Sequence, residues 1–276
     1  MSKKIGLSDP ILLVGCGKMG GALLAGWLDQ GVPTDQILVV EPSIDAERSG
    51  IPDGVSVLKD AADITDDFEP AVVIFAVKPQ VMGEVVPLYD RFTAAGPVFM
   101  SIAAGTPIRF FEDNLGVGAV VVRVMPNTPA AVRRGMSVLC ANVHADQVQR
   151  NLCTELMAAV GDTAWLKDEG LMDAVTAVSG SGPAYVFHLI ECLAQAAEDV
   201  GLAPNLASRL ALQTVSGSGE LARLSDDEAA QLRINVTSPG GTTQAALEVL
   251  MGDDGLQTLM TAAVRAAEIR GRELGV

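Results

Sequence analysis

The chain has 276 residues, 49% of them apolar, and a formal net charge of -15 at pH 7. This is enough apolar material for one large or two ordinary packed domains. The negative charge excludes the phosphate-neutralising surface of a nucleic-acid binder and an anionic membrane as partner, and the 4% aromatic content leaves few platforms for stacked bases.

The N-terminal stretch carries Lys3 and Lys4 and then a polar turn, and its apolar segment runs into glycines without a small-residue cleavage pattern, so no export signal is expected. Five apolar runs follow, at residues 11–15, 37–41, 71–77, 97–103 and 119–125. Their continuous apolarity between turn residues predicts strands buried on both faces, as in a parallel sheet covered by helices. A further short strand is placed at 135–141 and a helix at 145–160.

Past residue 165 the β-branched runs stop and helical spacing takes over. Pro183, Val186, Phe187, Ile190, Leu193, Ala194, Ala197 and Val200 fall on one stripe, with Pro183 suited to a first turn and Gly201 to a C-terminal cap. Further helices are predicted over 204–224 and 256–274. Gly217 and Gly219 sit inside the second pattern, where each costs up to ~1 kcal/mol against alanine, and such a small face suits close packing at a subunit interface. The expected fold is an α/β Rossmann-type N-terminal domain, residues 1–165, followed by an all-α domain, residues 166–276.

No apolar run approaches the ~20 residues a membrane helix needs. Cys16, Cys140, Cys153 and Cys192 form no CxxC pair and accompany two histidines, so neither a zinc site nor a disulfide framework is expected. Reduced thiols fit a cytoplasmic protein.

The most informative short motif is Gly15, Cys16, Gly17, Lys18, Met19, Gly20, which fits G-x-G-x-x-G directly after a predicted strand and directly before a predicted helix. Gly15 permits the tight turn, Gly17 lets backbone reach a pyrophosphate, and Gly20 packs helix on strand. The helix start adds unpaired N–H groups and its dipole. Glu41 closes the next strand 21 positions after Gly20, where a carboxylate can accept from an adenosine ribose and favour a free 2′-hydroxyl. Ser43 and Arg48 nearby can serve a 2′-phosphate, which leaves NAD and NADP both open. Lys78 and Pro79 stand just past the third strand, on the edge where ligands of open α/β sheets bind. Residues 101–107 end the fourth strand in small side chains that let backbone approach a ligand closely.

Three further segments, residues 123–135 (RVMPNTPAAVRRG), 177–185 (AVSGSGPAY) and 235–247 (NVTSPGGTTQAAL), resemble pyrroline-5-carboxylate reductases. The resemblance runs through nearly the whole chain in order. Its most specific part matches the family pattern at Thr237, Ser238, Gly240, Gly241, Thr243, Ala246 and Leu247.

The resemblance implies an NAD(P)H-dependent reduction of 1-pyrroline-5-carboxylate to proline. It implies cofactor contacts at the glycine loop, Lys78, Pro79, Ala103, Ala104 and Asn235. It implies a substrate loop of Ser238, Gly240, Gly241, Thr242 and Thr243, with Thr243 meeting the ring nitrogen, and places Met125, Pro126 and Asn127 between cofactor and substrate. It implies a homodimer through intertwined C-terminal helices, with decamers of five dimers in some members. Glu41 departs from the smaller or hydroxyl residues that many members carry there. A β-hydroxyacid dehydrogenase would require a catalytic lysine in the helical half, where the sequence offers only Lys167.

Overall fold

The computed structural model describes Ile5, residues 9–43 and residues 51–275; Lys3, Lys4 and Arg48 lie outside the described residues. The chain divides into two compact units, one of residues 1–180 and 268–276, the other of residues 181–267.

The first unit is built on a sheet of eight strands among the described residues: β1 (Ile11–Val14), β2 (Ile37–Val40), β3 (Ser56–Leu58), β4 (Val72–Phe75), β5 (Val98–Ser101), β6 (Val120–Met125), β7 (Gly135–Ala141) and β8 (Gly161–Trp165). They lie in the order β3-β2-β1-β4-β5-β6-β7-β8. All neighbours run parallel except β6 and β7, which are antiparallel with Met125 opposite Val138. The five apolar runs become β1, β2, β4, β5 and β6. The edge strands β3 and β8 escape the sequence reading, because a three-residue SVL and a polar GDTAW carry too little apolar pattern. Pairing with an existing sheet, which satisfies their backbone groups, makes them strands.

Strand alternation splits the core between the two faces of the sheet. Ile11, Leu13, Val39, Ile74, Met100 and Val122 pack on one face with Leu23, Leu24 and Trp27 of α1 (Lys18–Asp29) and Cys153, Leu156 and Met157 of α4 (Gln147–Ala158). The Trp27 indole N–H donates to the Leu156 carbonyl at 2.9 Å, which lets a large polar-tipped ring be buried. Leu12, Val14, Val40, Val73, Phe75, Phe99 and Val121 pack on the other face. There they meet Met82 of α2 (Met82–Val85), Val86, Tyr89 and Phe92 of the following 3-10 segment, and Phe111 and Leu115 of α3 (Ile108–Leu115). Each fully buried side chain of this size contributes roughly 1.5–3 kcal/mol, so two covered faces account for a self-sufficient unit.

The last expected residue of the N-terminal domain, Trp165, ends β8. Beyond it α5 (Met172–Val175) and a π-helical turn, Thr176–Gly180, complete the first unit before the chain leaves it. The second unit holds α6 (Gly182–Asp199), α7 (Pro204–Leu224), α8 (Ala229–Asn235), α9 (Thr242–Leu250) and most of α10 (Leu256–Leu274). The expected helix bounds 204–224 and 256–274 coincide with α7 and α10. Gly201, with φ +98°, follows α6 in the left-handed conformation that favours glycine.

α6 and α7 pack on one another. Their buried residues are nevertheless only Ala207 and Ala211 of α7. The stripe read from the sequence lies on α6, yet Val186, Phe187 and Leu193 are exposed. A Cβ on Gly219 would meet no atom within 4 Å, and one on Gly217 only the far end of Gln213. The small face is not filled by the chain's own side chains.

Candidate active site

The turn from β1 into α1 has the form an anion needs. Gly15 has φ +89°, and a Cβ there would strike Val77 Cγ1 at 2.7 Å and the Ala76 carbonyl oxygen at 2.9 Å. A Cβ on Gly20 would reach the Gly15 carbonyl oxygen at 2.5 Å, so this glycine seats the helix on the turn. A Cβ on Gly17 would point into open space, which leaves that backbone approachable. No side chain caps α1, and its first turn holds no acidic residue. The orphan N–H groups at Lys18 and Met19 and the positive end of the helix dipole remain for a phosphate. The residues present therefore fit a dinucleotide.

Glu41 reaches across to this loop. Its Oε2 accepts from the Cys16 N–H at 2.8 Å and its Oε1 from the Ser43 N–H at 3.0 Å. Burial, and secondarily the Glu41 charge, push the Cys16 thiol up to about 11, so it stays protonated and unreactive near neutrality. Gly15, Glu41, Ser43, Lys59, Asp60 and Lys78 line one cavity of about 580 Å³ along the C-terminal edge of β1, β2 and β4. Pro79 opens the 3-10 turn that follows Lys78. The sequence reading missed Lys59 and Asp60, because the strand that delivers them, β3, carries no pattern of its own. Ala103 and Ala104 follow β5 on the same strand edge. Ala103 is buried, its N–H donating to Ser101 Oγ at 3.3 Å, and Ala104 is exposed.

Met125, Pro126 and Asn127 lead out of β6. The Asn127 side chain accepts from the Met136 N–H at 2.8 Å and donates to the Ser179 carbonyl at 3.0 Å. One amide thereby ties the β6–β7 turn to the π-helical turn, and a Cβ on Gly180 would overlap Met125 Cε. Single π turns inside helices frequently mark functional sites. The motif AVSGSG is visible in the sequence, but the cross-link through Asn127 is not, since 52 residues separate it from Ser179.

In the second unit, α9 begins at Thr242 with Gly241 as its cap and no capping side chain, and its first turn is free of acids. Its first i→i−4 bond is Ala245 N–H to Gly241 C=O. The N–H groups of Thr242, Thr243 and Gln244 precede that bond and lack helical partners. The Gly240 and Gly241 N–H groups are already engaged, by Gln244 Oε1 at 2.8 Å and the Ser238 carbonyl at 3.0 Å, so these glycines shape the loop more than they offer donors. Ser238 and Thr242 are exposed and Thr243 is half-buried. Asn235, at the end of α8, is held by Gln231 and Asp227 within the same unit. The described residues hold no group of three or more His, Cys, Asp or Glu placed to bind a metal.

A doubly wound sheet whose glycine loop leads into an uncapped helix with no acidic residue in its first turn, joined in one chain to an all-helical unit, is the architecture of two-unit oxidoreductases of the nicotinamide-dinucleotide class. A family model described as pyrroline-5-carboxylate reductase dimerisation matches residues 169–274, and one described as NADP oxidoreductase, coenzyme F420-dependent, matches residues 10–105. The chain is 41% identical to a pyrroline-5-carboxylate reductase of Pseudomonas aeruginosa, over 97% of its own length and 98% of that protein's. A solved pyrroline-5-carboxylate reductase from Coxiella burnetii superposes with a TM-score of 0.91 at 34% identity, covering 98% of this chain and 100% of that one. The Plasmodium falciparum pyrroline carboxylate reductase, solved with NADP bound, does so with a TM-score of 0.81 at 28% identity, covering 98% and 99%. The chain belongs to the pyrroline-5-carboxylate reductase family.

Proposed function

We propose that the protein reduces the cyclic imine 1-pyrroline-5-carboxylate to L-proline, the last step of proline biosynthesis, as an NAD(P)H-dependent oxidoreductase. The observation that carries this reading is the start of α9, an acid-free helix N-terminus flanked by hydroxyls in a family whose substrate bears a carboxylate.

The α/β half, residues 1–165, holds the cofactor. Gly15, Cys16, Gly17, Lys18, Met19 and Gly20 cradle the pyrophosphate, Glu41 meets the ribose, and Lys78, Pro79, Ala103 and Ala104 border the rest. The family pattern also assigns Asn235, at the end of α8, to the cofactor. When bound, the nicotinamide supplies the hydride. The protein orients, excludes water and places charge.

In residues 166–276, the N–H groups of Thr242, Thr243 and Gln244 receive the substrate carboxylate with Ser238, while Gly240 and Gly241 keep the loop compact. The Thr243 hydroxyl hydrogen-bonds the ring nitrogen. A threonine is a weak acid, so its role is to hold the ring, with the proton arriving from solvent.

The helical half also makes an oligomer, in this reading a homodimer through its helices and a decamer of five such dimers. The exposed apolar surfaces of α6 and α7 and the open face at Gly217 and Gly219 support a second copy as their cover. The free cysteines fit a reducing cytoplasm.

The test is loss of reduced-nicotinamide absorbance when purified protein meets 1-pyrroline-5-carboxylate with NADH or NADPH. Turnover with at least one is expected, and folded, cofactor-binding protein that turns over neither would falsify the reading. Thr243→Val is expected to lower kcat by up to about 100-fold by letting the ring shift, with little change in cofactor affinity. Wild-type turnover in that variant removes the role given to the hydroxyl.

A further inference from the structure

We infer that Glu41 makes this reductase select the coenzyme without a 2′-phosphate, NADH over NADPH, by filling the 2′ position of the adenosine site with a fixed carboxylate. The inference rests on the reading that the glycine loop holds a nicotinamide dinucleotide.

Glu41 is fixed by structure. It directly follows β2, beside β1, where the fold presents the adenosine ribose. Both carboxylate oxygens are anchored by backbone, Oε2 on the Cys16 N–H of the glycine loop itself and Oε1 on the Ser43 N–H. A side chain held at both oxygens cannot swing aside without releasing the loop that binds the pyrophosphate. Each oxygen retains acceptor capacity, which suits the hydroxyls of an unmodified ribose.

The surroundings reinforce the choice. Asp60 lines the same cavity and is fixed by accepting from the Ala62 N–H at 2.9 Å. Lys59 and Lys78 also line it, against Glu41, Asp60 and Glu84, so the lining charges do not sum to an anion site. A 2′-phosphate brings about −1.5 to −2 charge at neutral pH and acceptor oxygens only. Next to Glu41 it meets like charge and displaces the hydrogen bonds that hold the loop. A ribose hydroxyl instead donates to the carboxylate.

Two measurements test this. Calorimetric titration of the purified oligomer with NAD+ and with NADP+ is expected to give at least about tenfold tighter binding of NAD+, and kcat/KM is expected to favour NADH by a similar factor. Glu41→Gln, which keeps the shape and removes the charge, is expected to bring both ratios to within about threefold of unity by improving NADP+ binding.

Wild-type protein that binds NADP+ as tightly as NAD+ overturns the assignment even if the variant fails to fold. A folded Glu41→Gln protein with the wild-type ratio overturns it as well. NADPH preference abolished by Arg48→Ala would transfer the selection to that arginine and overturn it. If neither NAD+ nor NADP+ binds, the dinucleotide reading itself falls. If both bind and NADP+ wins, only the role of Glu41 falls.

Discussion

In the α/β unit Trp27, Phe75, Tyr89, Phe99 and Phe111 are all less than 2% exposed, whereas in the helical unit Phe187 is 60% exposed and Leu189 and Leu210 are 47% and 46% exposed. Both regions carry strong apolar patterns in the sequence. The first satisfies its pattern within one chain, because a parallel sheet presents two apolar faces and the crossover helices cover both. The second offers two packed helices whose interior is mainly alanine, and its larger apolar groups face outward. Among the described residues no helix is long and apolar enough to cross a membrane. Large exposed apolar patches without such a span mark protein–protein interfaces. An apolar stripe therefore establishes that a surface will be buried, and leaves open by which chain.

Charging the helical face gives the largest expected effect. Leu189→Asp with Leu210→Asp places carboxylates where a second copy would bury them, and association is expected to weaken about a hundredfold or more. Sedimentation velocity reads this directly: an unchanged mass at micromolar concentration would show that this face does not make the oligomer.

Phe75→Ala tests the self-sufficient half. Its ring, fully buried, meets Tyr89 at 5.6 Å and Phe111 at 5.7 Å between centroids, and truncation is expected to cost roughly 3–5 kcal/mol in urea unfolding. Additivity with the charged background would show that the α/β core is stabilised independently of the helical face, and a markedly different cost there would show that the two are energetically coupled.

A smaller loss, roughly 1–3 kcal/mol, is expected for Asn127→Ala, which strands the Met136 N–H and the Ser179 carbonyl. Hydrogen exchange at Met136 should accelerate in that variant. Unaltered protection there would remove the cross-link from the account.

The smallest change is expected at Ser137, 1% exposed on β7, whose hydroxyl has no hydrogen-bond partner. Ser137→Ala is expected to stabilise by about 1 kcal/mol, since it removes a buried unsatisfied group. A lowered midpoint would reveal a partner for that hydroxyl.

Much of this molecule is legible before any coordinates. Residues 11–15 read as a buried strand because four successive apolar residues are bounded by glycine, and residues 15–20 read as a phosphate turn because glycine spacing, strand and helix coincide. The helices expected at about 204–224 and 256–274 appear as α7 and α10, the latter read from apolar repeats of three and four. Family membership is carried by the local motif in residues 235–247, which short-range chemistry maintains.

Tertiary structure decided what depends on groups far apart in the chain. β3 and β8 exist because the sheet edges accept their backbone bonds, and β3 brings Lys59 and Asp60 into the cavity beside the glycine loop. Glu41 was visible as a strand-end acid, yet its anchoring to the Cys16 N–H required two strands to be set side by side, 25 residues apart in sequence. Local pattern encodes backbone preference and burial, both properties of neighbours in sequence. Which donor meets which acceptor is settled only when distant segments pack, because an unpaired buried polar group costs more than the pattern can express.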